Sequence, residues 1–518
     1  MSRFTASVSA FARQQRVREF LLWCLPALLI GLVLRVVLTV QMPYGFFHDD
    51  TGDFLSTPDK LLSEFEWNLH SKKTFLTPIL FTLPFLVRVP ALIAIPIGQH
   101  LLGLVMIVQI GLLCRLWFTH WRWFILPLTI LAAINPFYLW YEHTLMAETA
   151  FVVCTLMVVI AGTLYYAKPD RKRFIFLCVA LFLEAGARPE GKLLFLFGLL
   201  LVAMVHWRNW RRDWRQFAIL FGLAVATHFM TKTSQAGLLL YTSVARMTPD
   251  QMWVAPGFID YIRPVRDDLQ ARWLKRPSFP RVSDRREVAK AVRNYLRAKP
   301  EAVKFGSHTD VNAYCLRLAM ETCLRNLSAL PGHVIAKFRS VSNEAPIGTF
   351  DSHWLFDKQR EAFLDQQPRL ARMEPRVTGH KLRTVEDINR FVDEHYCELP
   401  WFNQLHDRWL LVTNGWRMQD DQYPHEGWPG QFHHHPGIPY YFILGGIGLI
   451  TMAWRFRDPL RPFHAAWALT LLAFFFVIML TANVRPRFRF VFEPFWFLYI
   501  AGILDTLLFA AGALFRRR

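Results

Sequence analysis

The sequence predicts an all-α polytopic membrane protein, a bundle of about ten transmembrane helices with a mostly helical extracytoplasmic domain. Of its 518 residues, 53% are hydrophobic and only 19% are charged, whereas soluble domains carry about 25% charged residues. Several apolar runs are long enough to cross a hydrocarbon core of about 30 Å. The formal net charge of +19 suits a chain that faces a membrane surface, and no nucleic-acid partner is expected.

The apolar runs divide the chain into three parts. The first group lies at about 20–40, 89–117, 123–141, 145–166, 173–188, 191–206 and 217–238. The second group follows a long polar gap and lies at 438–454, 464–482 and 490–513. The sequence therefore predicts an N-terminal transmembrane catalytic module over 1–238, an extracytoplasmic domain over 239–437 and a C-terminal transmembrane module over 438–518.

Basic residues in the loops predict which side each loop occupies. With a cytoplasmic N-terminus, the connections on the cytoplasmic side are THWRW, KPDRKR, HWRNWRRDWRQ and WRFRDPLR, followed by a terminal RRR. Each of them is basic, which is the positive-inside pattern. Both termini are therefore expected in the cytoplasm. Compact loops favour a bacterial inner membrane, while the sequon Asn326-Leu327-Ser328 leaves an endoplasmic-reticulum origin open.

The first exterior loop, 41–88, contains the strongest candidate site. His48-Asp49-Asp50 follows the first span directly. Adjacent carboxylates at a membrane interface are costly unless they are solvated, paired or bound to a cation. The triplet therefore predicts a general base or a cation site, and a solvated acidic loop is the alternative.

Two further exterior turns carry charged side chains. Glu142-His143 and Glu148 bracket one tight turn, and Arg188 with Glu190 lies where the fifth span surfaces. These residues are candidates for substrate binding and, for Glu148, for catalysis. The alternative is a set of polar interface residues with a local salt bridge.

Arginines in the last exterior turn point to an anionic partner. Arg485 and Arg487 lie where the charge bias disfavours them, and a guanidinium matches the geometry of a phosphate. Lys72 precedes the short apolar run 75–88, which predicts an interfacial helix, and it is a further candidate for a lipid phosphate. Snorkelling to lipid headgroups is the alternative for these cations.

The order of these motifs resembles the GT-C superfamily of polyprenyl-phosphate-dependent integral membrane glycosyltransferases, which includes protein O-mannosyltransferases and lipid A aminoarabinose transferases. The chain matches in the acid pair after the first span, the interfacial helix, the NPF…E…LMAE segment and the RPEG turn. The resemblance covers roughly 18–240 and, more loosely, 438–513. Asp49-Asp50 stands where mannosyltransferases commonly have Asp-Glu. Region 239–437 shows no β-trefoil pattern and no WWD-type motif, so oligosaccharyltransferase function is not expected.

The resemblance implies transfer of one sugar from a polyprenyl-phosphate donor to an acceptor hydroxyl on the exterior face, usually with inversion. The acceptor is a lipid, glycan or protein. A transporter or flippase of a lipid-linked intermediate, and a non-catalytic scaffold with an exterior binding domain, are the alternatives. No organic cofactor is expected, and use of Mg²⁺ or Mn²⁺ stays open.

The resemblance also suggests a role for each candidate residue. Asp49 is the expected general base. Asp50 orients it or, with Glu148, binds a divalent cation. Cations expected to clamp the donor phosphate are Arg188, Arg485 and Arg487. Further residues expected to contact substrate are His48, Lys72, Glu142, His143 and Glu190.

Overall fold

The computed structural model describes the chain in segments, which are 2–47, 51–64, 74–86, 89–207, 210–230, 236–275, 282–299, 311–343, 357, 359–365, 376–414, 440–455, 458–481 and 493–515. Its regular structure within these segments is helical, and the β-type pairing there is one isolated bridge between Phe46 and Thr144. The prediction of an all-α fold is confirmed for the described residues.

The helices follow the order of the predicted apolar runs. In the N-terminal half they are α1 Ser2–Gln41, α2 Thr51–Ser63, α3 Leu76–Leu86, α4 Ala91–Trp117, α5 Trp121–Ile134, α6 Pro136–His143, α7 Glu148–Ala167, α8 Arg171–Ala187, α9 Leu194–His206 and α10 Trp210–Met230. In the rest of the chain they are α11 Ala236–Val244, α12 Ile259–Lys275, α13 Val282–Ala298, α14 Val311–Arg325, α15 Leu330–Asn343, α16 Val385–His395, α17 Pro400–Asn414, α18 Tyr440–Trp454, α19 Arg461–Thr481 and α20 Glu493–Phe515.

Five helical segments of the described chain are long and apolar enough to cross a membrane, and a bent pair of helices raises the number to six. The five are Arg18–Gln41, Ala91–Trp117, Glu148–Ala167, Pro189–His206 and Glu493–Ala511. The other predicted spans, α8, α10, α18 and α19, also form helices at the predicted positions. Helices α8 and α10 carry several charged residues near their beginning, and α18 and α19 contribute the shorter apolar stretches Tyr441–Trp454 and Arg461–Val477. The apolar helices of a membrane protein are therefore present, and the count of ten crossings stays a prediction.

The first helix shows what faces the lipid. The side chains of Leu22, Val33 and Val40 are each more than half exposed on α1. Exposed side chains of this size on a long apolar helix suit a surface against lipid tails, which are as apolar as leucine. The opposite side of α1 packs on α4 and α5.

The predicted span 123–141 is broken in the structure into α5 and α6, which meet at 46°. The break has a local cause in Asn135-Pro136. Proline has no amide hydrogen to continue the helix, and the Asn135 side chain accepts a hydrogen bond from the amide of Phe137 at 2.9 Å, which starts a new helix. The bend directs α6 across the end of the bundle and buries Glu142 and His143 there.

Three of the predicted exterior segments, as far as they are described, meet at one end of the bundle. The amide of Phe46 donates to the carbonyl of His143 at 2.8 Å, and Arg188 binds Glu148 at 2.5 Å. These contacts bring together the segment after α1, the α6–α7 turn and the turn after α8.

The opposite end joins turns that the charge pattern predicts to be cytoplasmic. Asp505 on α20 is fully buried and accepts from His120 at 3.0 Å and from Arg455 at 2.7 Å. His120 lies in the α4–α5 turn and Arg455 follows α18. The two groups of turns therefore occupy opposite ends of the bundle, as positive-inside alternation requires.

The region between the two membrane modules contributes to two cores. Residues of α11 to α14 form a separate apolar cluster around Tyr241, Val292 and Leu318. Residues between 362 and 410 instead join the main core with the membrane helices. The second part of this region therefore packs directly on the bundle, close to the segment that precedes the acid triplet.

Candidate functional site

The predicted site residues fall into two sets. One set lies outside the described residues and comprises His48, Asp49, Asp50, Lys72, Arg485 and Arg487. The other set is described and comprises Glu142, His143, Glu148, Arg188 and Glu190. The segments on either side of the acid triplet, 44–47 and 51–63, are described as well.

Both flanks of the acid triplet are bound to the α6–α7 turn. Phe46 pairs with this turn through two backbone hydrogen bonds, from its amide to the His143 carbonyl at 2.8 Å and from the Leu145 amide to its carbonyl at 3.1 Å. Thr51, the first residue after the triplet, donates its hydroxyl to the Leu145 carbonyl at 3.2 Å. The residues that enter and leave the triplet thus share one anchor.

Residues of region 239–437 bind the same segment from the other side. The Tyr396 hydroxyl donates to the carbonyl of Gly45 at 2.9 Å, and the Gly45 amide donates to Leu92 at 2.7 Å. The side-chain amide of Gln359 makes two bonds to the Phe47 backbone, at 2.9 and 3.3 Å. The backbone before the triplet is therefore hydrogen-bonded on both sides, which restricts its conformations.

A chain of hydrogen bonds runs beneath this segment and joins α1, α4 and α6. Arg35 Nη2 donates to Glu142 Oε1 at 2.6 Å, and Glu142 Oε2 lies 2.9 Å from His100 Nδ1. His100 Nε2 lies 3.2 Å from His143 Nδ1, and His143 Nε2 lies 3.1 Å from the carbonyl of Tyr44. The four side chains are buried. We call Glu142, His100 and His143 the Glu-His-His chain.

Sequence reasoning missed His100 and the partner of Arg35. His100 lies inside an apolar run and carries no local motif. Arg35 did carry a signal, because a charged side chain within a membrane span requires a partner. The structure shows that this partner is Glu142. The predicted contacts of Glu142 and His143 with substrate stay predictions, and their observed contacts are with other buried groups of the chain.

Glu148, Arg188 and Glu190 form a second charged cluster at the same end. Arg188 Nη1 donates to Glu148 Oε1 at 2.5 Å, and its Nε and Nη2 donate to the two oxygens of Glu190 at 3.2 and 3.4 Å. The guanidinium lies 5.7 Å from the ring of Phe151. Burial lowers the pKa of Arg188, but the carboxylates of Glu190 and Glu148 outweigh it and raise this pKa above its ordinary value.

This second cluster constrains the predicted phosphate clamp. Two carboxylates share the one guanidinium of Arg188, so a donor phosphate there competes with both of them. The phosphate-binding role of Arg188 stays a prediction. The catalytic role of Glu148 also stays a prediction, and its buried carboxylate is an ion-pair partner of Arg188 in this structure.

The interfacial helix lies beside the same turn. The Thr77 hydroxyl on α3 donates to the carbonyl of Ala187 at 3.2 Å. Gly186 is in close contact with the ring of Phe75, since a Cβ there would lie 2.4 Å from a ring carbon. Lys72 precedes this contact by a few residues in sequence. Within the apolar run 75–88, Leu76–Leu86 thus forms a short helix beside the end of α8, next to Arg188.

The described residues do not complete the metal site that was predicted from Asp50 and Glu148. No group of three His, Cys, Asp or Glu among them could hold a metal ion. Asp50 lies outside the described residues, and one oxygen of Glu148 accepts from a guanidinium. Metal binding by this pair stays a prediction.

Comparison with solved structures finds a similarity to the crystal structure of ArnT from Cupriavidus metallidurans bound to undecaprenyl phosphate. The two chains share 12% sequence identity with a TM-score of 0.30, and the match covers 89% of this chain and 77% of that chain. No protein-family model and no curated protein matches this sequence.

Proposed function

We propose that this chain is an integral membrane glycosyltransferase of the GT-C type. It transfers a sugar from a polyprenyl-phosphate donor to an acceptor hydroxyl on the extracytoplasmic face. The observation that carries the proposal is the anchoring of both flanks of His48-Asp49-Asp50 on the α6–α7 turn, next to the Glu148–Arg188–Glu190 cluster. The segment before the acid pair, the LMAE turn and the RPEG turn are therefore neighbours in space as well as in order.

The proposed general base is Asp49. A hydroxyl is too weak a nucleophile until a positioned base takes its proton as the new bond forms. Asp49 follows Phe47 by two residues and precedes Thr51 by two. Phe47 and Thr51 are both hydrogen-bonded, which supports the proposal that Asp49 has a restricted position. A restricted base favours a near-attack geometry with the acceptor hydroxyl.

The proposed step balances as a single displacement. The acceptor oxygen attacks the anomeric carbon while its proton passes to Asp49. The bond between the anomeric carbon and the phosphate oxygen breaks, and the electron pair leaves with the polyprenyl phosphate. Charge grows on that phosphate, so fixed cations stabilise the transition state. Arg485, Arg487 and Lys72 are the proposed cations, and Asp50 orients Asp49.

The decisive experiment is a transfer assay with the purified full-length protein in lipid nanodiscs. Polyprenyl-phosphate mannose and polyprenyl-phosphate aminoarabinose are supplied as radiolabelled donors, and free polyprenyl phosphate is measured. A transferase releases the free lipid phosphate, whereas a flippase or a scaffold leaves the donor intact. Release from neither donor, with correctly folded protein and membrane extract as the acceptor source, would overturn the proposal.

Substitutions then test the assigned roles. Asp49→Asn retains the shape and removes the proton acceptor, so turnover should fall by at least about 10²-fold, as for other general bases. Asp50→Asn should lose less if it only orients Asp49. Arg487→Ala should weaken donor binding more than acceptor binding, and Arg487→Lys should restore only part of it because lysine lacks the bidentate fork. Near-normal turnover in Asp49→Asn would remove this residue from the mechanism and move the base to Asp50, Glu142 or Glu148.

A further inference from the structure

The donors and acceptors of the Glu-His-His chain can be counted. A neutral imidazole has one N–H and one acceptor nitrogen, and an ionised carboxylate only accepts. Three hydrogen bonds follow one another, from Glu142 to His100, from His100 to His143 and from His143 to the Tyr44 carbonyl. Each bond needs one proton.

The groups at the two ends of the Glu-His-His chain determine which atom donates in each end bond. The carbonyl of Tyr44 only accepts, so His143 Nε2 carries a proton. If Glu142 is ionised, His100 Nδ1 also carries a proton. The bond between His100 Nε2 and His143 Nδ1 then needs a third proton, which makes one of the two rings an imidazolium. If Glu142 is protonated instead, both rings are neutral and all three bonds are again complete.

The two arrangements contain the same number of protons. Three protons complete the chain wherever the charge rests, and two protons leave one pair of acceptors facing each other without a hydrogen. An unfolded chain near neutral pH carries only two on these side chains, because glutamate is ionised and each histidine is neutral. A folded state in which all three bonds are complete therefore holds one proton more than the unfolded chain.

We propose that the Glu-His-His chain is a proton-holding site that stores one proton beneath the segment leading to His48-Asp49-Asp50. The stored proton completes the bond between His100 Nε2 and His143 Nδ1, which holds the His143 ring against the carbonyl of Tyr44 and so helps to position that segment. Glu142 and His143 act here as positioning residues. The proton count is independent of the proposed function, whereas the effect on turnover rests on it.

The surroundings of the chain support storage of a proton. Arg35 Nη2 donates to Glu142, and Arg35 Nη1 donates to the carbonyls of Gly31 at 3.0 Å and Ala133 at 3.4 Å. The buried Tyr138 hydroxyl on α6 also interacts electrostatically with Glu142. Within apolar helices a charged group must be paired. Transfer of the proton between Glu142 and the two imidazoles leaves all three hydrogen bonds complete.

The key variant is Glu142→Gln. The glutamine oxygen can accept from Arg35, and its amide then donates to His100 Nδ1. His100 Nε2 donates to His143 Nδ1, and His143 Nε2 donates to the Tyr44 carbonyl. The chain is then complete with two neutral rings and needs no extra proton. Glu142→Gln thus replaces a titratable proton by an amide hydrogen.

The first test measures unfolding of full-length protein in nanodiscs between pH 7 and pH 9. If the folded state holds one proton more than the unfolded state, the folding equilibrium constant falls tenfold for each unit by which pH rises. This continues until the folded state also releases that proton. The difference between wild type and Glu142→Gln should therefore change by up to tenfold per pH unit, with Glu142→Gln gaining relative to wild type. Comparing the two proteins cancels all other titrating groups.

A matched control is Asp505→Asn, which removes a buried carboxylate on α20 that accepts from Arg455 at 2.7 Å and is not part of the Glu-His-His chain. Its profile should retain the slope of wild type. Parallel profiles for wild type and Glu142→Gln, with Glu142→Gln less stable at every pH, would show an ordinary ion pair with Arg35 and overturn the proposal. If the proposed function is correct, the pH profile of wild-type turnover should contain the titration of the Glu-His-His chain, and this titration should be absent in Glu142→Gln.

A second test does not depend on the folding of any Glu142 variant. Solid-state NMR of the wild type labelled with ¹⁵N-histidine should show nitrogen–nitrogen coupling through one N–H···N bond between two imidazoles. Selective loss of this signal in His143→Gln assigns it. Its absence from correctly folded wild-type protein at pH 7 would overturn the proton count, whatever the transfer assay shows.

Discussion

Arg35 and Glu142 form a buried ion pair of 2.6 Å between α1 and α6, across 107 positions of sequence. Both side chains are almost completely excluded from solvent. The pair joins the first apolar helix to the short helix that carries the α6–α7 turn. It therefore links the membrane bundle to the anchor of the acid triplet.

Removal of one partner of the Arg35–Glu142 pair should lower the stability of the protein. We expect Arg35→Met to lower the free energy of unfolding by about 3–5 kcal/mol, because it leaves a buried carboxylate without its cation. The double variant Arg35→Met with Glu142→Gln should recover part of this loss. Thermal unfolding of both purified proteins measures the effect. A double variant no more stable than the single one would show that the carboxylate is not the cause.

Gly103 makes room for the same carboxylate. A Cβ at this position of α4 would lie 2.0 Å from Glu142 Oε1, and real atoms must then move apart. Gly103→Ala should therefore displace Glu142 and lower stability by about 1–3 kcal/mol, as overpacking commonly does.

The same helix offers a matched control. Nothing lies within 4 Å of a Cβ built at Gly98, so Gly98→Ala should be neutral or stabilise α4 by up to about 1 kcal/mol through helix propensity. Unfolding of both variants under one set of conditions compares them. Equal stability of Gly98→Ala and Gly103→Ala would contradict the close approach.

Hydrophobicity was sufficient to predict the helices that correspond to the apolar runs, whereas the sides assigned from loop charge stay a prediction. The apolar runs end close to the helix ends, because a span needs a continuous apolar stretch. The break at Asn135-Pro136 was present in the sequence, but the run 123–141 is apolar on both sides of it. The pairing of Arg35 with Glu142 was not predictable, because it depends on how α1 and α6 pack rather than on a local pattern. His100 was hidden for the same reason.

The proposed topology can be tested with single cysteines in a cysteine-free background. Glu394 on α16 and Lys172 on α8 are both exposed, so a membrane-impermeant thiol reagent can reach either from its own side. Glu394→Cys should react in intact cells, while Lys172→Cys should react only after permeabilisation. Reaction of Lys172→Cys in intact cells would place the basic turn outside and overturn the orientation given by the loop charges.

Region 239–437 contains a buried lysine whose charge should make stability depend on pH. Lys337 on α15 donates to the hydroxyl of Ser243 on α11. Close by, Arg246 donates to His333 at 3.1 Å, and its guanidinium lies 3.8 Å from the ring centre of Trp273. Burial, and then the charge of Arg246, lowers the pKa of Lys337 from 10.5 to about 7.

The sign of the effect follows from proton binding. Between about pH 7 and pH 10.5 the unfolded chain holds a proton on Lys337 that the folded protein releases, so stability rises with pH in this window. The slope is about 1.4 kcal/mol per pH unit for one proton. We expect Lys337→Met to remove this slope between pH 7 and pH 9 and to be relatively most stabilising at the lower pH. The control Lys290→Met removes an exposed lysine on α13 and should leave the slope unchanged. Unfolding of the full-length variants is monitored by proteolysis of region 239–437 at each pH, which gives the pH profile of stability for both variants. A slope that persists in Lys337→Met would assign the titration to another group.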